Sequence, residues 1–280
     1  MDRKKWLPDY NNPNGRKLLR LFSDTLQEVR ALYFQALQEN NTSKAQRLLR
    51  QLSQISMALE SEYKDWSKVE LTREYVKGAY YIDDVMQNGE IYLAVNKIPY
   101  DELKDMVSDL GTIHVNAVKA LIDTSDMYVK ASLDWMERVA IQTLDKTIQE
   151  KFTEELAKSV LKWETMGEMK RGAIELLKAE HITEFQDRAW RYWSMDRYAE
   201  MLVRTETNRA NVQGTINRAI QIWITKFQIV EQPDCCEVCA EMNGDIVDVT
   251  EWTVDLPPFH PNCRGYIIAQ IETDPTKVKI

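Results

Sequence analysis

At 280 residues the chain is long enough for one large domain or two to three smaller ones, and 44% apolar residues allow a substantial core. Nine glycines and eight prolines against eleven methionines favour long helices over a many-turned β architecture. A net charge of −8 argues against a protein whose whole surface wraps nucleic acid.

The charge is uneven. Residues 1–50 hold ten Lys and Arg against five Asp and Glu. This basic region reads in two ways, as a solvated helix face or as a phosphate contact made by Arg16, Lys17, Arg20, Arg47 and Arg50. Met1-Asp2-Arg3-Lys4-Lys5 leads into Trp6-Leu7-Pro8-Asp9 without an apolar stretch, so no export signal is expected. No run approaches the ~18 apolar residues of a membrane span. A cytoplasmic origin is the expectation. In a reducing compartment, four cysteines confined to Cys235–Cys263 suggest metal more than disulfides.

Residues 1–15, with Asn11-Asn12-Pro13-Asn14-Gly15, read as an extended tail. Leu18, Leu21, Phe22, Leu26, Val29, Leu32, Tyr33 and Leu37 recur at helical steps. Asn40-Asn41 breaks that pattern, and Ser43 with Gln46 offers a capping box. Leu48, Leu52, Ile55 and Leu59 give the second helix its stripe, and a third is expected over Lys68 to Met86. Antiparallel packing with short turns is the simplest arrangement for this helical region, 16–98. A central helical region, 99–180, follows Pro99. Glu102 to Ile122 reads as helix despite Gly111, Tyr128 to Trp163 as one or two more, and Ala173 to Ala179 as a short one. His114 and His181 are isolated and receive no chemistry.

The character changes at 181–280. Ile182–Phe185 and Trp190–Trp193 suit the arms of a short hairpin, and Ser194 can cap the helix that runs on to Gln221. Ile222 to Val230 alternates as a strand, with further strands expected at Ile246–Val249 and Tyr266–Ile271. The fold class expected is mainly α: long N-terminal helices and a small α+β C-terminal module containing a Cys/His site.

Cys236 and Cys239 are separated by two residues, as are His260 and Cys263. Two turns of that spacing can aim three thiolates and one imidazole at a tetrahedral Zn²⁺. Four protein ligands leave no position for water, so such an ion would hold structure and do no chemistry. Cys235 is the spare. The segment Pro233 to Gly265 has few apolar residues and many turn formers, so it needs such a staple. Disulfides and merely adjacent thiols are the other readings.

Phe185 to Met201, then Arg204-Thr205-Glu206 with Arg209, then Asp234–Cys239, Asn243-Gly244 and Pro257–Arg264 resemble, in that order, blocks of the tailed-phage minor capsid and head-morphogenesis group. That group includes the phage Mu F-like proteins and phage minor capsid protein 2. The resemblance covers about the last 90 residues. It implies a virion protein of few copies, attached to the portal inside the head, that assists head assembly, genome packaging or ejection. The implied partners are the portal protein foremost, then the major capsid or scaffold protein, with non-specific contact to packaged DNA. Many relatives carry Cys after the Arg of the signature, where this chain has Gly265.

Glu206 and Arg209 stand at i and i+3, which a plain surface ion pair explains. Arg204, Asn208 and Asn211 form a polar stripe able to reach the carbonyls of the Cys/His loop or a partner. Three rival readings are a metal-dependent nuclease, a toxin-like effector and a zinc-knuckle nucleic-acid binder. The first lacks histidines with catalytic spacing, and for the second no appended catalytic domain is expected in the ten residues after Gln270. The third is opposed by Asp234, Glu237, Glu241, Asp245, Asp248, Glu251 and Asp255 around the cysteines. No enzymatic activity is expected.

Overall fold

Between Thr42 and Lys77 the sequence contains neither glycine nor proline, and nothing in it stops a helix. One helix accordingly spans Thr42–Met86, where two were expected. The computed structural model describes residues 3–8, 13–38, 42–87, 89, 94–150, 184–186, 192–251 and 254–271. Helix accounts for 72% of them, so the protein is mainly α with a small C-terminal sheet.

The helices are α1 (Pro13–Gln38), α2 (Thr42–Met86), α3 (Tyr100–Leu110), α4 (Thr112–Glu150), α5 (Met195–Gln221) and α6 (Glu237–Met242). The strands are β1 (Glu184–Gln186), β2 (Tyr192–Ser194), β3 (Lys226–Val230), β4 (Ile246–Asp248) and β5 (Tyr266–Ala269). The residues group into two compact units. One comprises Met1–Asn12, Trp66–Ser125 and Met201–Ile280, and the other Pro13–Asp65 and Asp126–Glu200.

Among the described residues, the second unit is helical with one antiparallel strand pair. Leu18, Phe22 and Thr25 of α1 are buried at i, i+4 and i+7, and Leu52, Ser56, Leu59 and Tyr63 of α2 at the same spacing. Lys17, near the start of α1, pairs with Glu62, well along α2, so the two helices run antiparallel. Val129 and Leu133 supply the apolar face of α4, and Ser132 shares a 2.6 Å hydrogen bond with Tyr198 of α5. β1 and β2 pair antiparallel, Phe185 opposite Trp193, one residue beyond the expected arms. α2 begins at Thr42, so Ser43 lies inside its first turn and is not its cap.

In the first unit, Leu71 to Ala79 of α2 are all buried, Arg73, Glu74 and Lys77 included. A helix buried on every side must pair its charges internally. Arg73 bonds Glu70, and Lys77 lies 2.7 Å from Glu74. Burial still dominates at Glu74 and pushes its carboxyl up to about 7, against the opposing pull of Lys77. The folded chain therefore binds a proton between the ordinary carboxylate range and pH 7 that the unfolded chain does not. This part of the stability is present at low pH and lost as pH rises through 7. Urea unfolding between pH 5 and 8 should show a loss on the order of 2–3 kcal/mol toward alkaline pH. Glu74→Gln should flatten that slope, and an unchanged slope would remove Glu74 as its source.

Several elements depart from the sequence expectation. Arg3–Trp6 form a 3-10 turn and Pro13, Asn14 and Gly15 open α1, where an extended tail was expected. Trp6 is the reason: it is buried, and its indole N–H donates to Asp84 Oδ2 at 2.8 Å, beside Lys5. Glu102 to Ile122 is two helices, because Gly111 takes φ 107° and ends α3. α4 then continues through Asp123–Asp126 to Glu150, beyond which the expected helical residues to Trp163 lie outside the described set. The expected helix at 173–179, His181 and the hairpin turn at 187–191 also lie outside it. β3 starts at Lys226, not Ile222. α5 ends in a Schellman closure in which Ile224 N donates to Ala219 O and Trp223 N to Ile220 O, with Trp223 at φ 66°. His114 is a packed core residue, its Nδ1 2.9 Å from the Tyr75 hydroxyl.

α2 and α5 meet at two glycines. A Cβ on Gly78 would lie 1.9 Å from Asn211 O, and one on Gly214 would lie 2.1 Å from Tyr75 O. That approach lets Asn211 Nδ2 donate to Trp6 O and Glu74 O, and Asn217 Nδ2 to the Tyr75 hydroxyl. β3 is central in a three-stranded antiparallel sheet, order β4-β3-β5, with Phe227 and Ile267 wholly buried. Ala269 N donates to the Tyr81 hydroxyl and ties this sheet to α2.

Candidate metal centre

The two Cys/His turns form for local reasons. Cys236 takes the N-cap position of α6, with Ala240 N donating to its carbonyl, and Cys239 sits in the first turn. His260-Pro261-Asn262-Cys263 is closed by Cys263 N donating to His260 O at 3.1 Å. Proline second and Asn262 third at φ 67° are the residues a type II turn requires. The loop between α6 and β4 turns at Gly244, φ 96°, whose N–H donates to Ile229 O.

Folding brings the four sequence-identified groups together. His260 Nε2 lies 3.1 Å from Cys236 Sγ and 3.0 Å from Cys239 Sγ, and Cys239 Sγ lies 3.8 Å from Cys263 Sγ. Among the described residues, two donor trios share Cys239: Cys236, Cys239 and His260, and Glu231, Cys239 and Cys263. Within each, the ligand atoms all lie within 4.8 Å of one another. Zn–S bonds of about 2.3 Å and Zn–N bonds of about 2.0 Å set tetrahedral donors roughly 3.5–3.8 Å apart. The Cys239–Cys263 spacing meets that, and the histidine contacts are a few tenths shorter. His260 Nδ1 is 2.7 Å from Pro261 O, so its proton is held there and Nε2 is left as a donor. The residues present thus fit a metal ion.

Cys239 and Cys263 are buried, His260 is half-buried and Cys236 is exposed. Burial, then the neighbouring Cys263, pushes the Cys239 thiol up, and burial does the same for Cys263. An ion entering here must therefore displace thiol protons. Cys235 is half-buried outside both trios.

The Arg204–Arg209 stretch lies on α5 against this loop. Asn208 Nδ2 donates to Cys263 O at 3.2 Å and Gly265 O at 2.9 Å, and Thr205 Oγ1 accepts from Asn262 N at 3.1 Å. Glu206 is buried and pairs with Arg209 at 2.8 Å, with Ser125 as a further hydrogen-bond partner. Burial raises its carboxyl despite those contacts. Of the polar stripe, Asn208 reaches the Cys/His loop, Asn211 reaches α2 and the N-terminal turn, and Arg204 is half-buried.

Sequence reasoning missed Thr205 and Glu231. Glu231 is 8% exposed, and its Oε1 lies 3.9 Å from Cys263 Sγ. The signal for it was the β3 alternation: Phe227, Ile229 and Glu231 share the inward parity. Burial raises the Glu231 carboxyl, opposed by hydrogen bonds to the two thiols and by the charges of His260 and Arg264.

The basic residues lie elsewhere. Arg16, Lys17 and Arg20 are exposed on α1 and Arg50 on α2, while the Arg47 side chain is not among those described. Lys17 is the one that pairs with Glu62.

The model of the family described as phage minor capsid protein 2 matches residues 80–255, more than half of the chain. The chain belongs to this family. Its membership carries a capsid-related role and a place in the virion. The match spans the end of α2, α5 and the Cys236–Cys239 turn, and stops before His260 and Cys263. No curated protein and no solved structure matches the chain. Among the described residues, no helix is long and apolar enough to cross a membrane.

Proposed function

We propose that this protein is a structural, non-enzymatic component of a tailed-phage head, bound to the portal on the head interior, where it assists head morphogenesis and genome packaging or ejection. The family match over 80–255 supports this reading most directly. Cys236, Cys239, His260 and Cys263 hold a structural zinc that braces the C-terminal module, with Asn208 and Thr205 fastening the loop to α5. Portal attachment belongs to the C-terminal half. Arg16, Lys17, Arg20, Arg47 and Arg50 make phosphate-directed contact with packaged DNA, indifferent to sequence and sensitive to salt.

Co-expression with the portal protein tests the central point. The chain should co-purify with the portal and with assembled heads, and should turn over no DNA in Mg²⁺, Mn²⁺ or Zn²⁺. Arg47→Glu with Arg50→Glu should weaken DNA retention and leave portal binding intact. Absence from both proheads and virions would end the structural reading. DNA cleavage lost on a single carboxylate substitution would make the protein an enzyme.

A further inference from the structure

The pairing of Glu231 with Gly265 is unexplained by a four-ligand site. Glu231 follows directly on β3 with the inward parity of Phe227 and Ile229, and its backbone N–H donates to Asn243 Oδ1 at 2.9 Å. The carboxylate therefore points at Cys239 and Cys263, not at water. It lies directly over the Cα of Gly265: a Cβ there would fall 1.8 Å from Glu231 Oε1 and 2.5 Å from its Cδ. The space the carboxylate fills exists because residue 265 has no side chain. The Cys263 thiol faces this carboxylate at 3.9 Å, and once an ion has displaced the thiol protons, carboxylate and thiolates become like-signed groups that need the cation among them. The nearby guanidinium of Arg264 is engaged with Asp234 at 2.6 Å.

We propose that Glu231 is an oxygen donor to the ion held by Cys236, Cys239, His260 and Cys263, and that residue 265 is glycine to admit it. This rests on the reading that the Cys/His cluster binds zinc. Cys239 belongs to both trios, so an ion on its thiolate has Cys236 and His260 on one side and Cys263 and Glu231 on the other, and taking donors from both requires the two trios to close on it. A mixed sulfur, nitrogen and oxygen set suits a borderline divalent ion such as Zn²⁺ or Co²⁺ better than a strictly thiophilic one.

The 280-residue chain, loaded with zinc or with cobalt as a spectroscopic substitute, tests this. Glu231→Ala should weaken zinc in competition with a chelating dye by at least about tenfold. The cobalt d–d bands should change, while the thiolate charge-transfer band persists. Gly265→Ala, which alters no donor, should weaken zinc similarly by pushing the carboxylate aside. The double variant should be no worse than Glu231→Ala alone, and its fold, followed by thermal melting, controls for plain disruption by the added methyl. Zinc affinity within twofold of the unsubstituted protein in Glu231→Ala overturns the proposal. So does weakened zinc with an unchanged cobalt spectrum, because Glu231 would then act on shape alone. If the unsubstituted protein retains neither metal, the zinc reading falls, and this one with it.

Discussion

Gly78→Ala should destabilise the protein by about 2–4 kcal/mol, although alanine is the better helix former by about 1 kcal/mol. The new methyl would sit 1.9 Å from Asn211 O and 2.8 Å from Thr215 N. Both are backbone atoms of a helix, so no rotamer relieves the clash. Relief requires α2 and α5 to separate. Separation strains the Asn211 hydrogen bonds to Trp6 O and Glu74 O, the Asn217 bond to Tyr75 and the 2.7 Å ion pair of Arg218 with Asp83. Gly214→Ala should behave alike, since its methyl would meet Tyr75 O at 2.1 Å. The two losses should not add, because one separation relieves both. Urea unfolding followed by tryptophan fluorescence measures each. Unchanged or increased stability in either variant would mean that helix propensity outweighs the crossing, and would sink the packing argument.

Replacing Cys239 or Cys263 with Ser should release the metal and loosen the C-terminal module. Elemental analysis of protein purified under reducing conditions should find about one zinc per chain, and markedly less in either variant. Structural zinc binding is worth on the order of 10 kcal/mol in small metal modules, far more than the few apolar contacts of 231–265 can replace. Hydrogen exchange should rise over 231–265, with the α1/α2 stripe of Leu18, Phe22, Leu52 and Leu59 still protected, since it is buried without the metal. Cys235→Ser should keep its zinc, as Cys235 stands outside both donor trios. Metal-free protein with the same exchange pattern would leave the cysteines as plain core thiols.

Several features were legible because they are local. The CxxC and HPNC turns depend on proline, asparagine and spacing within a few residues, and those residues made the expected turns. The helical stripes of α1 and of Leu52 and Leu59 were visible for the same reason, as was the end of α5 at Gln221. Helix lengths were read less well. The expected stripe of the second helix stops at Leu59 and the next helix begins at Lys68, and the expected helix to Ile122 is followed by one from Tyr128, yet helix runs through both gaps. Ser125 is buried against Glu206, and Ser67 and Glu70 are buried within the fold. A polar residue does not end a helix when a partner from elsewhere satisfies it.

The sequence alone thus determined the class of fold, the family resemblance and four of the donors at the candidate centre, since each is written in short spacings and periodicities. Only the tertiary structure decided what those residues meet. It placed Asn208 and Thr205 on the Cys/His loop across more than fifty residues of chain. It set Gly78 against Asn211, and it filled the space above Gly265 with Glu231. Such pairings depend on which distant backbone comes close, and that is a property of packed helices and strands, with no local signal to announce it.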